Sequence, residues 1–92
     1  MPQVRHLNVI GSQVRKLRYT RQWTQQQLAI RLQCLGWDAS RELIAEIERR
    51  NHRVDDLQIL YLADTFGVSI PELYPSIQFR KRDINEVMGA RL

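Results

Sequence analysis

Residues 24–50 contain two short amphipathic segments, each with its own start signal, and no other stretch constrains the fold as strongly. Thr24 and Gln27 have the spacing of a capping box, in which each side chain accepts a backbone N–H at the start of a helix. Gly36 suits the left-handed residue that ends a helix, and Ser40 can cap a second one. The pattern predicts a helix, a compact turn and a second helix.

The second of these helices has two unlike faces. Leu43, Ile44 and Ile47 recur at helical spacing and are expected to face a core. The opposite face carries Arg41, Glu42, Ala45, Glu46 and Arg49. A short helix with one face buried and the other held out to solvent is what a reader of the DNA major groove needs.

A helix is also predicted before this pair. Asn8 can cap a helix that runs from about Val9 to Tyr19. Gly11 lies inside that helix, where glycine costs about 1 kcal/mol relative to alanine. We therefore expect another backbone to approach closely at Gly11.

Two more helices are predicted after the pair. Asp55 can cap a fourth helix that continues to Phe66, and Gly67 can end it. Ser69 and Glu72 form another capping box, which would start a short fifth helix. Five helices with short connections and no strand pattern predict an all-α orthogonal bundle.

The chain divides into three parts by this pattern. Residues 1–7 show no clear periodicity and are expected to be loosely ordered, and residues 8–75 form the helical domain. Residues 76–92 change character, with a basic cluster at 80–82 followed by Ile84, Val87 and Met88 at helical spacing. This C-terminal extension fits a short helix, a dimer arm or a mobile tail.

Composition narrows the class of protein. A chain of 92 residues makes one domain, and its 43% hydrophobic content argues against global disorder. A net charge of +4 mildly favours an anionic partner. There is no apolar run of membrane-spanning length and no signal-peptide core, and the single Cys34 fits a reducing compartment, so a cytoplasmic location is expected.

Chemistry-bearing residues do not cluster along the sequence. His6 and His52 are isolated, and with Cys34 they do not have the spacing of metal ligands. No nucleophile with its base, no glycine-rich phosphate loop and no paired carboxylates in a plausible pocket are recognisable. We therefore expect a protein that is not an enzyme and has no cofactor, no metal and no apparent small-molecule effector.

From Ile10 to Leu73 the sequence resembles the Cro/C1-type (XRE family) helix-turn-helix domain of phage repressors. The resemblance lies in the order and spacing of IGSQVRKLR, WTQQQLA, SRELIAEIE and ILYLADTFGVSIPEL. It implies a five-helix bundle of the phage-repressor type that places its third helix in the major groove, usually as a homodimer on a palindromic site.

The resemblance also implies roles for particular residues. Base edges would be contacted from the start and outer face of helix 3, by Ser40, Arg41, Glu42 and Glu46. The DNA backbone would be contacted by Gln25, Arg50, Asn51 and Arg53. Arg18 and Glu48 match an internal ion pair that ties helix 1 to helix 3.

The sequence departs from this family pattern in three places. Gln33, Cys34 and Leu35 lengthen the link between helices 2 and 3, so helix 2 is expected to gain most of a turn, with Trp37 over the join. Arg50 stands where a glycine is common. Glu42 and Glu46 are the third departure, because they place two carboxylates on the outer face of helix 3. They can accept from cytosine N4, or can simply pair with Arg41, Arg49 or Arg50 across a helix turn.

The leading hypothesis is a sequence-specific regulator that binds double-stranded DNA as a homodimer, most simply a repressor, with Arg41 as its principal base reader. The rival is a protein-interaction module, for example an antitoxin-like partner that binds DNA only in complex. Non-specific nucleic-acid binding is a third and weaker possibility. The dimer surface is expected at Leu57, Leu60 and Tyr61, or in residues 77–92.

Overall fold

A computed structural model describes residues 6–75, along which four α-helices are followed by a single turn of 3-10 helix. The α-helices are α1 (Gly11–Thr20), α2 (Gln25–Leu35), α3 (Arg41–Glu48) and α4 (Asp56–Phe66). This stretch contains no β-strand, so the all-α class is confirmed for it. The expectations for residues 1–5 and 76–92 lie outside the described residues.

The expected fifth α-helix is wrong, because its place is taken by the 3-10 helix Ile70–Leu73. Only four residues separate the capping Ser69 from Tyr74, whose backbone is extended. Tyr74 precedes Pro75, and a residue before proline is pushed out of the helical region by contact with the proline ring. The segment is therefore too short for a run of α-helical hydrogen bonds.

The capping boxes around α2 and α4 are present. The Thr24 hydroxyl accepts from the Gln27 backbone N–H at 3.0 Å, and the Gln27 side chain accepts from the Thr24 backbone N–H at 2.7 Å. Asp55 and Gln58 form the same arrangement at the start of α4. Each box satisfies two backbone donors that the first helical turn leaves without partners.

Thr24→Ala is expected to lower the free energy of unfolding by about 1 kcal/mol, because it removes the hydroxyl acceptor at the start of α2. Urea unfolding followed by far-ultraviolet circular dichroism measures the difference. Gln26→Ala is the matched control, since Gln26 is an exposed residue of the same helical turn. Equal stability of the two variants would show that the box does not stabilise α2.

The core lies between the four helices and the 3-10 turn. The largest side chains that are completely buried come from every helix: Val14 from α1, Leu28 and Leu32 from α2, Ile44 and Ile47 from α3, Leu62 from α4 and Leu73 from the 3-10 turn. These are the positions that helical spacing places on the inner faces. On α3, Ile44 and Ile47 are completely buried and Leu43 is partly buried, so the opposite face is directed toward solvent.

The start of α1 is fastened to the end of α3. α1 begins at Gly11, two residues later than expected, and the Asn8 side-chain oxygen accepts from the Gly11 N–H at 2.8 Å. The Asn8 amide nitrogen donates to the carbonyl of Ile47 at 3.2 Å and to that of His52 at 2.8 Å. Leu7 adds a backbone bond to Arg50 at 2.8 Å. Asn8 is thereby satisfied as donor and acceptor in a buried position.

The lengthened connection between α2 and α3 is an ordered structure. α2 continues to Leu35, and Gly36 has a φ of 112°, which an L side chain rarely adopts. The Gln33 side chain donates to the Ala39 carbonyl at 2.7 Å. The rings of Trp37 and Tyr61 lie 6.1 Å apart, so Trp37 packs against α4, a contact that the sequence did not predict. These contacts fix the position of α3 relative to α2.

α2 and α4, at 11 residues each, are the longest helices between residues 6 and 75. None of the helices in that range has the length and apolar character needed to cross a membrane.

Candidate nucleic-acid interface

The outer face of α3 and the first residue of α2 line one shallow cleft of about 280 Å³. Its lining residues are Gln25, Arg41, Glu42, Ala45, Glu46 and Arg49. Four of these are residues for which the sequence predicts DNA contact, and two elements of the fold contribute them. The cleft opens to solvent, so its lining side chains are accessible to a partner.

The charges on this face are paired within α3. Arg41 Nη2 lies 3.3 Å from Glu42 Oε2, and Arg49 Nη2 donates to Glu46 Oε2 one helical turn away. The pKa of Glu42 is lowered, mainly by a hydrogen bond from its own backbone N–H and then by Arg41. Two cations and two carboxylates therefore cancel on the outer face, and the pairing considered for these carboxylates is present.

Ser40 lies at the junction of the connection and α3. Its hydroxyl oxygen accepts from the Leu43 backbone N–H at 3.0 Å, so it is the N-cap of α3. Ser40 is exposed, and its hydroxyl hydrogen can rotate toward an acceptor on a ligand. Capping and an additional contact to a ligand are compatible for this residue.

Beneath the cleft, Arg18 and Glu48 form an ion pair between α1 and the last residue of α3. Arg18 Nε lies 2.6 Å from Glu48 Oε2, and Arg18 Nη2 lies 3.0 Å from Glu48 Oε1. Their side chains are 6% and 2% exposed, so both charges are out of water. The hydrogen bond with Glu48 raises the pKa of Arg18. A third guanidinium bond reaches the Trp23 carbonyl at 2.8 Å.

Gln25 connects this buried pair to the cleft. Its side-chain nitrogen donates to Glu48 Oε1 at 3.1 Å, while the residue occupies the first position of α2 and is half-buried. The first-turn N–H groups of a helix carry a partial positive charge that favours anions. The geometry therefore holds one amide and one helix end at the rim of the cleft.

The residues after α3 divide into an inner and an outer set. Asn51 and Arg53 are exposed, and Arg53 lines a separate hollow with Leu7 and His52. Arg50 is buried at 9% exposure, and its Nε donates to the Asn8 carbonyl at 2.9 Å. Its φ of 64° is left-handed, which explains why a glycine suits this position. Arg50 is engaged inside the fold.

Two residues of this surface are absent from the set predicted on sequence. Arg49 lines the cleft directly. Arg15 has a side chain 57% exposed, with Nε 3.9 Å from the Glu48 oxygen that Gln25 also contacts. The available signal was the position of each on the solvent face of its own helix, and only the packing of α1 beside α3 brings Arg15 to the same place.

Metal ligands do not gather within residues 6–75, where no three His, Cys, Asp or Glu side chains are placed to hold an ion. Cys34 is exposed on α2 as a free thiol.

Two solved structures have a fold similar to that of this chain. The DNA-binding domain of BldD superimposes with a TM-score of 0.63 at 23% identity, covering 76% of this chain and 94% of its own. A hypothetical transcription factor, NHTF, from Neisseria has a TM-score of 0.66 at 21% identity, covering 89% of this chain and 94% of its own. The chain has a helix-turn-helix fold. At these identities the likeness shows the fold alone.

No protein-family model matches the sequence, and no curated protein matches it as a relative. The residues of the cleft must therefore be interpreted from their own geometry.

Proposed function

We propose that the chain is a sequence-specific regulator of transcription that binds double-stranded DNA with α3 in the major groove. The observation that carries this proposal is the single cleft in which the outer face of α3 and the start of α2 meet. An α-helix fits the width of the major groove. With α3 in the groove, the start of α2 would lie close to the phosphates. The fold likeness to the DNA-binding domain of BldD and to NHTF, a hypothetical transcription factor, supports the proposal.

Base contact is assigned to the outer face of α3. Arg41 is the principal reader, because a guanidinium can donate two hydrogen bonds to guanine O6 and N7. Glu42 and Glu46 can accept from cytosine N4 once their arginine partners turn to the DNA, and Ser40 contributes its hydroxyl. Arg49 joins this set because it lines the same cleft.

Backbone contact is assigned to Gln25, Asn51 and Arg53. Gln25 and the helix end behind it face one phosphate, while the exposed side chains after α3 follow the strand beyond it. Arg15 is added on the flank of Gln25. Arg50 is left out, because its guanidinium is used inside the fold.

We further propose a Cro/C1-type repressor that acts in the cytoplasm as a homodimer. A two-fold axis would place the two α3 helices about 34 Å apart, one turn of DNA, so the site would be palindromic. Such a dimer would repress by occupying its site.

Arg41→Ala is expected to weaken binding to the preferred duplex by about 1–3 kcal/mol and to relax the base preference at one position, because a bidentate base contact is lost. Fluorescence anisotropy on the preferred and a scrambled duplex measures both effects. Arg31→Ala is the control, since Arg31 is exposed on α2 and lies over the Trp23 ring, not in the cleft. Equal weakening on the two duplexes would assign Arg41 to the backbone.

A second candidate is a protein-interaction module of the antitoxin-like kind. Two observations favour it: the outer face of α3 is balanced in charge, and Leu57 and Leu60 expose apolar surface on α4. Such a module would bind duplex DNA only with its protein partner. Titration of the purified chain with duplex DNA at low salt separates the two candidates, because electrostatic binding is strongest there.

A further inference from the structure

An apolar groove lies on the side of α4 that faces away from the core. It shares no lining residue with the cleft beside α3. It encloses about 410 Å³ between α4 and the 3-10 helix. Its lining residues are Asp56, Leu57, Ile59, Leu60, Ile70 and Tyr74. A groove of this composition is suited to a row of apolar side chains.

The walls of this groove are unusually exposed for their residue types. Leu57 is 55% exposed, Leu60 is 52% exposed and Ile70 is 40% exposed. Single exposed leucines are common on protein surfaces, but these three border one hollow. Covering them would remove a continuous apolar surface from water, which is favourable in proportion to the area buried.

The chain leaves the described fold at this groove. Tyr74 lines it, and Pro75 is the next residue and the last that the structure describes. Ile84 lies nine positions after Pro75, and nine residues of extended chain span up to about 30 Å. Residues 76–92 therefore start at the edge of the groove with enough length to return to it.

The sequence of this segment complements the groove in apolar pattern and charge. Ile84, Val87 and Met88 recur at i, i+3 and i+4, which would place them in one row on a helix. The basic run at residues 80–82 comes before them. At the groove, Asp56 lies in the first turn of α4 and is exposed. Docking would bring the basic run close to the Asp56 carboxylate and place the apolar row in the groove.

We propose that the apolar row of residues 84–88 docks in the groove of its own chain, covering Leu57, Leu60 and Ile70. A segment tethered at the edge of its site has a high effective concentration there, which a free second copy must match by its total concentration. This docking would complete the domain on the side opposite the core face of α4. It does not involve the residues of the cleft beside α3, but it would cover Leu57 and Leu60, which belong to one of the two dimer surfaces expected from the sequence.

Disulfide trapping in the full-length chain tests this docking. With Cys34→Ser to remove the native thiol, Leu60→Cys is combined with Met88→Cys and oxidised in dilute solution. A matched protein carries Leu60→Cys with Glu86→Cys, which lies two positions away and off the apolar row. We expect the first pair to close within one chain several-fold faster than the second, as read by intact mass under denaturing conditions.

Two results would overturn the proposal. Products of twice the chain mass as the main species would show that the groove receives a second copy. Equal closure rates for the two pairs, or no closure, would show that the row does not dock there.

Hydrogen exchange gives a second measurement without added cysteines. Amides of residues 84–88 are expected to exchange slowly in the full-length chain and quickly in Leu60→Glu, which places a carboxylate in the groove. Ile30→Glu is the control, because Ile30 is 47% exposed on α2 and lies outside the groove. Identical exchange of these amides in all three proteins would contradict docking.

Discussion

Glu48→Ala is expected to lower the free energy of unfolding by about 3–5 kcal/mol, the usual cost of removing one partner from a buried ion pair. The Glu48 side chain is 2% exposed, and its two oxygens are bonded by the Arg18 guanidinium and the Gln25 amide. Without the Glu48 carboxylate, the Arg18 charge stays out of water and keeps the Trp23 carbonyl as an acceptor. Urea unfolding of the purified variant measures the loss.

The reason for this loss can be separated from the size of the side chain. Arg18→Met combined with Glu48→Leu removes both charges and keeps the volume, so the double variant is expected to be more stable than Glu48→Ala. Glu46→Ala is the control on the same helix, because its carboxylate pairs with Arg49 at the surface. A loss no larger for Glu48→Ala than for Glu46→Ala would contradict the role given to the pair.

Gly11→Ala is expected to destabilise the fold by about 3 kcal/mol, at the upper end of the range for overpacking. A Cβ atom at this position would lie 2.3 Å from the Ile47 carbonyl oxygen and 2.7 Å from Arg50 Cγ. The carbonyl belongs to the backbone of α3 and cannot turn aside, so α1 and α3 must separate. Thermal and urea unfolding both report this change.

Ser12→Ala is the control for Gly11→Ala, since Ser12 is the next residue of α1 and is exposed. Alanine also has a better helix propensity than glycine by about 1 kcal/mol, which opposes the clash. A Gly11→Ala protein as stable as the wild type would mean that propensity outweighs the contact. The close approach of α1 and α3 would then be looser than the geometry implies.

Local signals account for the parts of the fold that the sequence predicts well. The Thr24 and Gln27 box and the Asp55 and Gln58 box join residues three positions apart, so their chemistry can be recognised in a short window. The apolar rows follow the helical period for the same reason. The glycine in α1 also predicts a close backbone approach, and Ile47 makes it.

Long-range contacts account for what the sequence does not predict. Arg50 is charged, and charged residues are normally exposed, but its hydrogen-bond partner Asn8 lies 42 positions earlier. Arg15 comes within 3.9 Å of Glu48 only because α1 packs beside α3. The fifth helix shortens to a 3-10 turn because Pro75 fixes the backbone of Tyr74 just beyond it. The contacts of Arg50 and Arg15 join residues far apart in the sequence and are not visible in a local window, whereas the effect of Pro75 is local.

The candidate site combines both kinds of information. Its position on α3 follows from the buried row of Ile44 and Ile47, which turns Arg41 outward. The pairing of Arg41 with Glu42 is local and was one of two alternatives open on sequence. The link from Gln25 through Glu48 to Arg18 spans three helices and ties the reading face to the core. Sequence identifies the face, and packing determines how it is held.

Selection from random duplexes with the purified chain alone, at low salt, determines whether the protein reads a DNA sequence by itself. Enrichment of a two-fold symmetric motif with half-sites about 34 Å apart is expected. Binding to that motif should weaken steeply as salt is added, because the phosphate contacts release counterions. No detectable binding of any duplex at low salt would contradict a regulator that reads DNA by itself through α3.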